Sequence, residues 1–267
     1  MRPNLLLPLL FAASACAASP TPPPAGAAPS VPSSATAPAT PHPGNSIPLP
    51  NGASGYLSLP SSPGKHGAVL VIQEWWGLND WIKENTDRFA QHGYVALAVD
   101  LYRGKSASSP DEAHELMRGL PEDRGMADIQ AGFDWLIARP EVDAARIGIV
   151  GWCMGGGYAL GFATAQPRLR AVAVNYGHLV ESPDRIAAVH AALLGNFAGQ
   201  DRGIPPADVR VFADKLRASN KDVDVKIYDP DGHAFMNPNN AKGYDEAAAK
   251  DAWARIDAFF ARTLGGK

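Results

Sequence analysis

The chain has 267 residues, with 24 Lys and Arg against 27 Asp and Glu and a formal net charge of −3. Acidic and basic residues are interspersed along it, so we predict no basic face of the kind that binds nucleic acid. Its only cysteines are Cys16 and Cys153, which excludes a disulfide-rich scaffold.

Residues 1–18 have the pattern of an export signal. One positive charge precedes an apolar run that is too short to span a bilayer, and small residues suited to cleavage follow at 13–15. Cys16 comes next, as in the lipobox of bacterial lipoproteins, although Ala13 stands where that motif usually has leucine. We expect an exported protein, either periplasmic or anchored to the membrane through lipidated Cys16. The alternative is ordinary cleavage, with Cys16 incidental.

Residues 19–50 are dominated by Pro, Ala, Ser and Thr and carry almost no large apolar side chains. Such a segment cannot form a core, and we predict a disordered linker. The remaining residues, 51–267, are enough for one globular domain with a substantial core. We expect that domain to be monomeric.

Within 51–267, short apolar runs alternate with longer amphipathic stretches, which is typical of a mostly parallel sheet covered by helices on both faces. Strands are predicted at 68–72, 94–99, 147–151, 171–175, 191–196 and 223–228. Helices are predicted at 81–91, 125–138, 158–165, 208–219 and about 244–263. In the last helix, Trp253, Ile256 and Phe260 recur at helical spacing and should face the core. The predicted fold class is therefore α/β.

A glycine-rich turn, Gly151-Trp152-Cys153-Met154-Gly155-Gly156, follows the third predicted strand. A sharp strand-to-helix turn needs small residues two before and two after its apex, because larger side chains would collide there. Such a turn raises its apex side chain above the sheet edge and directs backbone N–H groups of a helix N-terminus at developing negative charge. The pattern favours acyl transfer by Cys153. The alternative is a buried structural cysteine.

An acid and a histidine follow two later strands. Asp201 comes after the strand at 191–196, and His233 comes after the last strand. Because ligands bind beyond the carboxyl ends of parallel strands, these side chains should meet Cys153. The order nucleophile, acid, histidine is that of α/β-hydrolases. The alternatives are Asp229 and Asp231 for the acid, and His178 for the base.

The loop Gln73-Glu74-Trp75-Trp76-Gly77 follows the first predicted strand. An α/β-hydrolase supplies its second oxyanion donor from this position. We expect the backbone N–H groups of Trp75 and Met154 to form the oxyanion hole. Glu74 is a carboxylate at the edge of an apolar strand, where a structural ion pair and a proton-handling role are equally plausible.

Together these segments resemble the dienelactone hydrolase family, over about residues 55–262. The other matching segments are Asp100-Leu101-Tyr102-Arg103, Tyr176-Gly177, Gly199-Gln200-Asp201 and Gly232-His233-Ala234-Phe235. The resemblance implies an α/β-hydrolase fold and hydrolysis of lactones or small carboxylic esters, without metal or organic cofactor. It implies a triad of Cys153, Asp201 and His233 that works through a thioester. It also implies that Glu74 contacts the resting thiol until the substrate displaces it.

The resemblance is incomplete at the substrate-binding positions. Family members that open dienelactones hold the substrate carboxylate with two arginines. Arg103 is the counterpart of the first, but Asn237 stands where the second is expected, and a neutral amide cannot form a bidentate charge-assisted pair. Trp76, Tyr102 and Phe235 are predicted to line an apolar pocket, and the alternative is that each belongs to the hydrophobic core. The alternatives are a general carboxylesterase for a bulkier uncharged ester and a non-catalytic ligand-binding module of the cell envelope.

Overall fold

A computed structural model describes residues 42–219 and 222–265. The predicted signal peptide, Cys16 and most of the predicted linker lie outside these residues. Within them, no helix is long and apolar enough to cross a membrane.

The described residues contain one eight-stranded sheet. Its strands are β1 (Asn45–Pro48), β2 (Ser54–Ser58), β3 (His66–Ile72), β4 (Val95–Val99), β5 (Val142–Trp152), β6 (Ala171–Asn175), β7 (Ala192–Ala198) and β8 (Val223–Tyr228). Their order across the sheet is β1-β2-β4-β3-β5-β6-β7-β8. β2 pairs antiparallel with β1 and β4, and all other pairs are parallel. The prediction of a mostly parallel α/β sheet is confirmed.

Seven α-helices occur in the same part of the chain. They are α1 (Asp80–Gln91), α2 (Pro110–Arg118), α3 (Glu122–Ile137), α4 (Met154–Ala165), α5 (Pro183–Ala188), α6 (Pro206–Ala218) and α7 (Glu246–Leu264). Because side chains alternate along a strand, β3 contributes Leu70 and Ile72 to the core under α3, α4 and α6. It contributes Val69 and Val71 to the core under α1 and α7. The sheet is therefore covered by helices on both faces.

The predicted stripe of large apolar residues on α7 packs against the core. Ile256 and Phe260 are fully buried, as the helical spacing predicted. Trp253 is only half-buried, and its indole packs on Phe89 and Trp152 at the edge of the same core. The stripe is thus part of the hydrophobic core.

The structure differs from the prediction at four elements. β1, β2, α2 and α5 were not predicted, and β1 lies inside the segment assigned to the linker at 19–50. β1 is held by backbone pairing to β2, with Asn45 opposite Leu57 and Pro48 opposite Ser54. The fold therefore begins before residue 51, because backbone hydrogen bonds need no apolar sequence.

The carboxyl ends of five parallel strands place the functional residues at one edge of the sheet. Glu74 comes two residues after β3, and Cys153 directly follows β5. Tyr176 directly follows β6, and Asp201 and His233 lie in the loops after β7 and β8. Most of the strands beneath them are deeply buried, and residues 68–72 of β3 have no exposed surface. The exception is the edge strand β8, in which exposed residues alternate with partly buried ones. A rigid, close-packed sheet thus supports the site.

Candidate active site

Cys153 sits on a sharp, left-handed turn between β5 and α4, with φ 54° and ψ −119°. A Cβ atom at Gly151 would lie 2.1 Å from the carbonyl oxygen of Gly155. A Cβ at Gly155 would lie 2.4 Å from the carbonyl oxygens of both Ile72 and Gln73. Only glycine fits at these two positions. The half-buried Cys153 is a free thiol, and the turn has the geometry of a nucleophile elbow.

The side chains of His233 and Asp201 form a short hydrogen bond. His233 Nδ1 lies 2.6 Å from Asp201 Oδ2. The other oxygen of Asp201 accepts backbone N–H groups from Gly203, at 2.9 Å, and Ile204, at 3.1 Å. Burial opposes ionisation of Asp201, but the hydrogen bond from His233 and these two N–H groups keep its pKa below the ordinary value. Within the described chain, Asp201 is the carboxylate that binds this imidazole, rather than Asp229 or Asp231.

The thiol of Cys153 makes a side-chain hydrogen bond with His233. Burial alone would lower the pKa of His233. The hydrogen bonds to Asp201 and Cys153 and the negative charges of these partners outweigh burial and raise this pKa to about 10. The carboxylate and the thiol thus both act in favour of the protonated form of this imidazole.

Glu74 is almost completely buried, and both of its oxygens accept hydrogen bonds. Tyr176 Oη donates to Oε1 at 3.3 Å, and Asn237 Nδ2 donates to Oε2 at 2.6 Å. Burial raises the pKa of Glu74 to about 7, although the Asn237 amide, the charge of His233 and the Tyr176 hydroxyl each oppose that rise. The contact with the resting thiol that the family resemblance implies is not observed. Tyr176 and Asn237 occupy the carboxylate, and the thiol bonds to His233.

The backbone N–H groups expected to form the oxyanion hole belong to Trp75, in the loop after β3, and Met154, the first residue of α4. In the next turn of α4, the N–H groups of Gly156 and Gly157 donate to the carbonyl oxygen of Cys153. Among the described residues, the N–H groups of Trp75 and Met154 donate to no backbone carbonyl. Both N–H groups therefore remain available to an acceptor other than the backbone.

These residues open into a cavity of about 880 Å³. Cys153, His233 and Glu74 form part of its wall. The indoles of Trp75 and Trp76 also line it, in contact with each other at a centroid distance of 5.0 Å. Other lining residues are Asn79, Met117, Tyr176, His178, Ile204, Asn239, Asn240 and Lys242. The cavity is large enough for an organic substrate, and Trp76 lines it, as the sequence predicted.

A sequence model of the dienelactone hydrolase family matches residues 53–264. The chain belongs to the dienelactone hydrolase family.

Individual relatives agree with this assignment. A Salmonella typhi protein provisionally named a carboxymethylenebutenolidase is 34% identical over 226 residues, covering 79% of this chain and 83% of the relative. Protein usf of Aquifex pyrophilus is 35% identical over 217 residues, covering 79% and 93%. A crystal structure from Klebsiella pneumoniae, provisionally named a dienelactone hydrolase, has a TM-score of 0.74 at 30% identity and covers 82% of this chain and 98% of its own. The α/β-hydrolase fold is confirmed, and this dienelactone hydrolase-like protein is a hydrolase acting on ester bonds.

Arg103, which was predicted to bind the substrate, is paired with another residue in this structure. Arg103 does not line the cavity. Its guanidinium pairs with Asp128, whose side chain is fully buried, at 2.9 Å, and also reaches the carbonyl oxygen of Asn51 at 3.4 Å. The buried carboxylate needs this cation, so Arg103 is not available to a substrate in the cavity.

Tyr102 and Phe235 are also absent from the cavity lining. The Tyr102 hydroxyl contacts Met154 Sδ at 3.3 Å, and its side chain is buried. Phe235 has no exposed surface and packs against Tyr176 and Tyr228 at centroid distances of 5.5 and 4.7 Å. Both side chains therefore belong to the packing around the site. The sequence could not show this, because the rings lie between backbone segments that are distant along the chain.

Two residues of this dienelactone hydrolase site were not predicted to act there. Tyr176 is fully buried, has φ 38° and places its ring 5.2 Å from that of His233. Its signal in the sequence is the Tyr176-Gly177 pair directly after β6. Asn237 stands where the family resemblance predicts an arginine, and its amide binds Glu74. No local pattern indicates this contact, which joins residues 163 apart in the chain.

Proposed function

We propose that this chain hydrolyses lactones or small carboxylic esters by covalent catalysis at Cys153. The observation that supports it best is the continuous hydrogen-bonded series from Asp201 through His233 to a thiol at the apex of the elbow. Asp201 keeps the proton of the neutral imidazole on Nδ1, so that Nε2 can exchange a proton with the thiol. A non-catalytic binding module would have no use for this complete set.

In the first half of the proposed reaction, Sγ of Cys153 attacks the carbonyl carbon of the substrate, and a carbon–sulfur bond forms. The carbonyl oxygen becomes an oxyanion that accepts hydrogen bonds from the N–H groups of Trp75 and Met154. As the tetrahedral intermediate collapses, the bond to the ester oxygen breaks, and the imidazolium of His233 transfers a proton to that oxygen. An ester loses its alcohol, whereas a lactone opens and stays attached as a thioester.

In the second half, water attacks the thioester carbonyl. His233, now neutral, removes a proton from this water. The tetrahedral intermediate collapses with cleavage of the carbon–sulfur bond, which releases the carboxylic acid product and regenerates the thiolate beside the imidazolium. The same two N–H groups stabilise the second oxyanion, so the two halves share one electrostatic environment.

The cavity favours a neutral substrate over one with a carboxylate. Arg103 is paired with Asp128 outside the cavity, and Asn237 donates its amide to Glu74. Neither is free to pair with an anionic group. The indoles of Trp75 and Trp76 instead offer apolar surface within about 880 Å³. These contacts support the second candidate function, a carboxylesterase for a bulkier uncharged ester.

The nucleophile is tested by comparing the wild-type chain, Cys153→Ala and Cys16→Ala on dienelactone and p-nitrophenyl acetate. The only cysteines are Cys16 and Cys153, so the second variant is a matched control. We expect Cys153→Ala to abolish hydrolysis and alkylation of the domain by iodoacetamide, and Cys16→Ala to retain both. Hydrolysis that survives in Cys153→Ala would refute the assignment, and an unreactive thiol with no turnover of any ester would favour a binding module.

The substrate class is tested with one lactone measured as its free carboxylate and as its neutral methyl ester derivative. We expect the neutral compound to have the higher kcat/KM, chiefly through a lower KM. A clear preference for the carboxylate would refute this expectation, and Arg103 and Lys242, which lines the cavity, would be the cations to change next.

A further inference from the structure

Glu74 lies where three loops of the site meet. It follows β3, its partner Tyr176 follows β6, and its partner Asn237 belongs to the loop after β8 that carries His233. Glu74 and Asn237 are each 2% exposed, and Tyr176 is fully buried. Among the described residues, Glu74 forms no ion pair with a lysine or arginine. Its two fixed hydrogen-bond donors are therefore uncharged groups.

The orientation of the Asn237 amide is fixed by its own contacts. Its Oδ1 accepts the backbone N–H of Asn239 at 2.9 Å, so its Nδ2 must face Glu74. The surrounding loop is held by Asn240, whose Nδ2 donates to the carbonyl oxygens of His233 and Ala234 at 3.2 and 3.3 Å. The donor that binds Glu74 is thus attached to the segment that positions His233.

We propose that Asn237 is a positioning residue, whose amide holds the Glu74 carboxylate beside the His233 imidazole and away from the Cys153 thiol. The proposal rests on the function proposed above. In this position an ionised Glu74 adds negative charge near the imidazolium and so stabilises the imidazolium form that accompanies the reactive thiolate. Protonation of Glu74 removes this charge and lowers the reactivity of Cys153.

The charged and titratable groups around Glu74 come from separate elements. They are His233 from the loop after β8, Cys153 from the elbow and Tyr176 from the end of β6. His178 and Lys242 line the same cavity. Burial raises the pKa of Glu74 to about 7, and the Asn237 hydrogen bond opposes this rise. Loss of the amide donor therefore raises the pKa further, so that Glu74 remains protonated up to a higher pH.

Asn237→Leu tests this, because leucine has a similar size but donates no hydrogen bond. We expect the acid limb of kcat/KM for p-nitrophenyl acetate to move upward by about one pH unit, since hydrogen bonds to charged groups are of that strength. The rate of Cys153 alkylation by iodoacetamide should show the same shift without requiring turnover. The matched control is Asn45→Leu, the same change at an exposed residue of β1 that does not line the cavity, and it should leave the limb in place.

The double variant Glu74→Gln/Asn237→Leu separates positioning from structural damage. With no ionisable group at residue 74, loss of the amide should produce no further shift relative to Glu74→Gln alone. Asn237→Ala provides a second version of the change, and thermal unfolding identifies which variants are folded. An unmoved limb in a folded Asn237 variant, or an equal shift in the Glu74→Gln background, overturns the proposal. Turnover in Cys153→Ala would instead overturn the proposed function, while the alkylation profiles of the Asn237 variants would still report on Glu74.

Discussion

Replacing Asp201 with asparagine tests the triad most directly. Oδ1 of Asp201 accepts two backbone N–H groups, and Oδ2 binds His233 Nδ1 at 2.6 Å. Asparagine has only one oxygen, which must face the two N–H groups. Its NH2 group then points at Nδ1 and forces the imidazole proton to Nε2, the atom that must accept the proton of the thiol. We expect kcat to fall by roughly 10³- to 10⁴-fold, as when a triad histidine is held in the wrong tautomer.

The same change also removes a charge-assisted hydrogen bond from His233. Such bonds are worth about 1.5–3 kcal/mol, which corresponds to about one to two pH units on the pKa of the imidazole. The pKa of His233 should therefore fall from its value of about 10. The pH dependence of Cys153 alkylation measures this shift, and stopped-flow hydrolysis measures kcat. Asp231→Asn, in the neighbouring loop, is the control and should behave like the wild type. A kcat for Asp201→Asn within about tenfold of the wild type, with an unchanged alkylation profile, would refute the assigned role.

Three further changes give distinct outcomes. Gly155→Ala places a Cβ 2.4 Å from two carbonyl oxygens, so overpacking should cost about 1–3 kcal/mol; calorimetry should show a lower Tm, and an unchanged Tm would contradict the elbow geometry. Arg103→Gln removes the cation beside buried Asp128. We expect a lower Tm and an unchanged KM for a carboxylate-bearing lactone, whereas a raised KM would indicate that Arg103 binds the substrate. Tyr176→Phe deletes the hydroxyl that donates to Glu74, so the pKa of Glu74 should rise and the acid limb of kcat/KM should move to higher pH; a limb that stays in place would show that this bond does not tune Glu74.

The buried parallel strands could be predicted from the sequence because burial on both faces produces continuous apolar runs. β6, which is buried throughout, begins and ends at the predicted residues. The bounds of β8 also match, although β8 is an edge strand in which apolar and polar residues alternate. β1 could not be found this way, because it is a four-residue edge strand, Asn45–Pro48, without a buried side chain. α2 was missed for a related reason, since Ala113 is its only buried residue.

In the site, the sequence indicated those residues that are marked by their immediate neighbours or by their place after a strand. Cys153 is marked by the glycines on both sides of it, and His233 and Asp201 by their places after parallel strands. The hydrogen bonds of Glu74 could not be predicted, because they join residues 102 and 163 positions apart. The ion pair of Arg103 could not be predicted, because its partner, Asp128, is buried in α3 and nothing in the local sequence pairs them.

The close contact between backbones at the elbow limits how such a site can evolve. Gly156 of α4 touches the turn after β6, where a Cβ on Gly177 would lie 2.4 Å from the carbonyl carbon of Gly156. A larger residue at Gly156 or Gly177 would displace the helix or the strand, whatever its effect on the reaction. The cavity is lined elsewhere by side chains such as Met117 of α2 and Lys242 of the loop after β8. New substrate preferences should therefore arise by mutation of such lining side chains. A directed-evolution library should target them rather than the elbow.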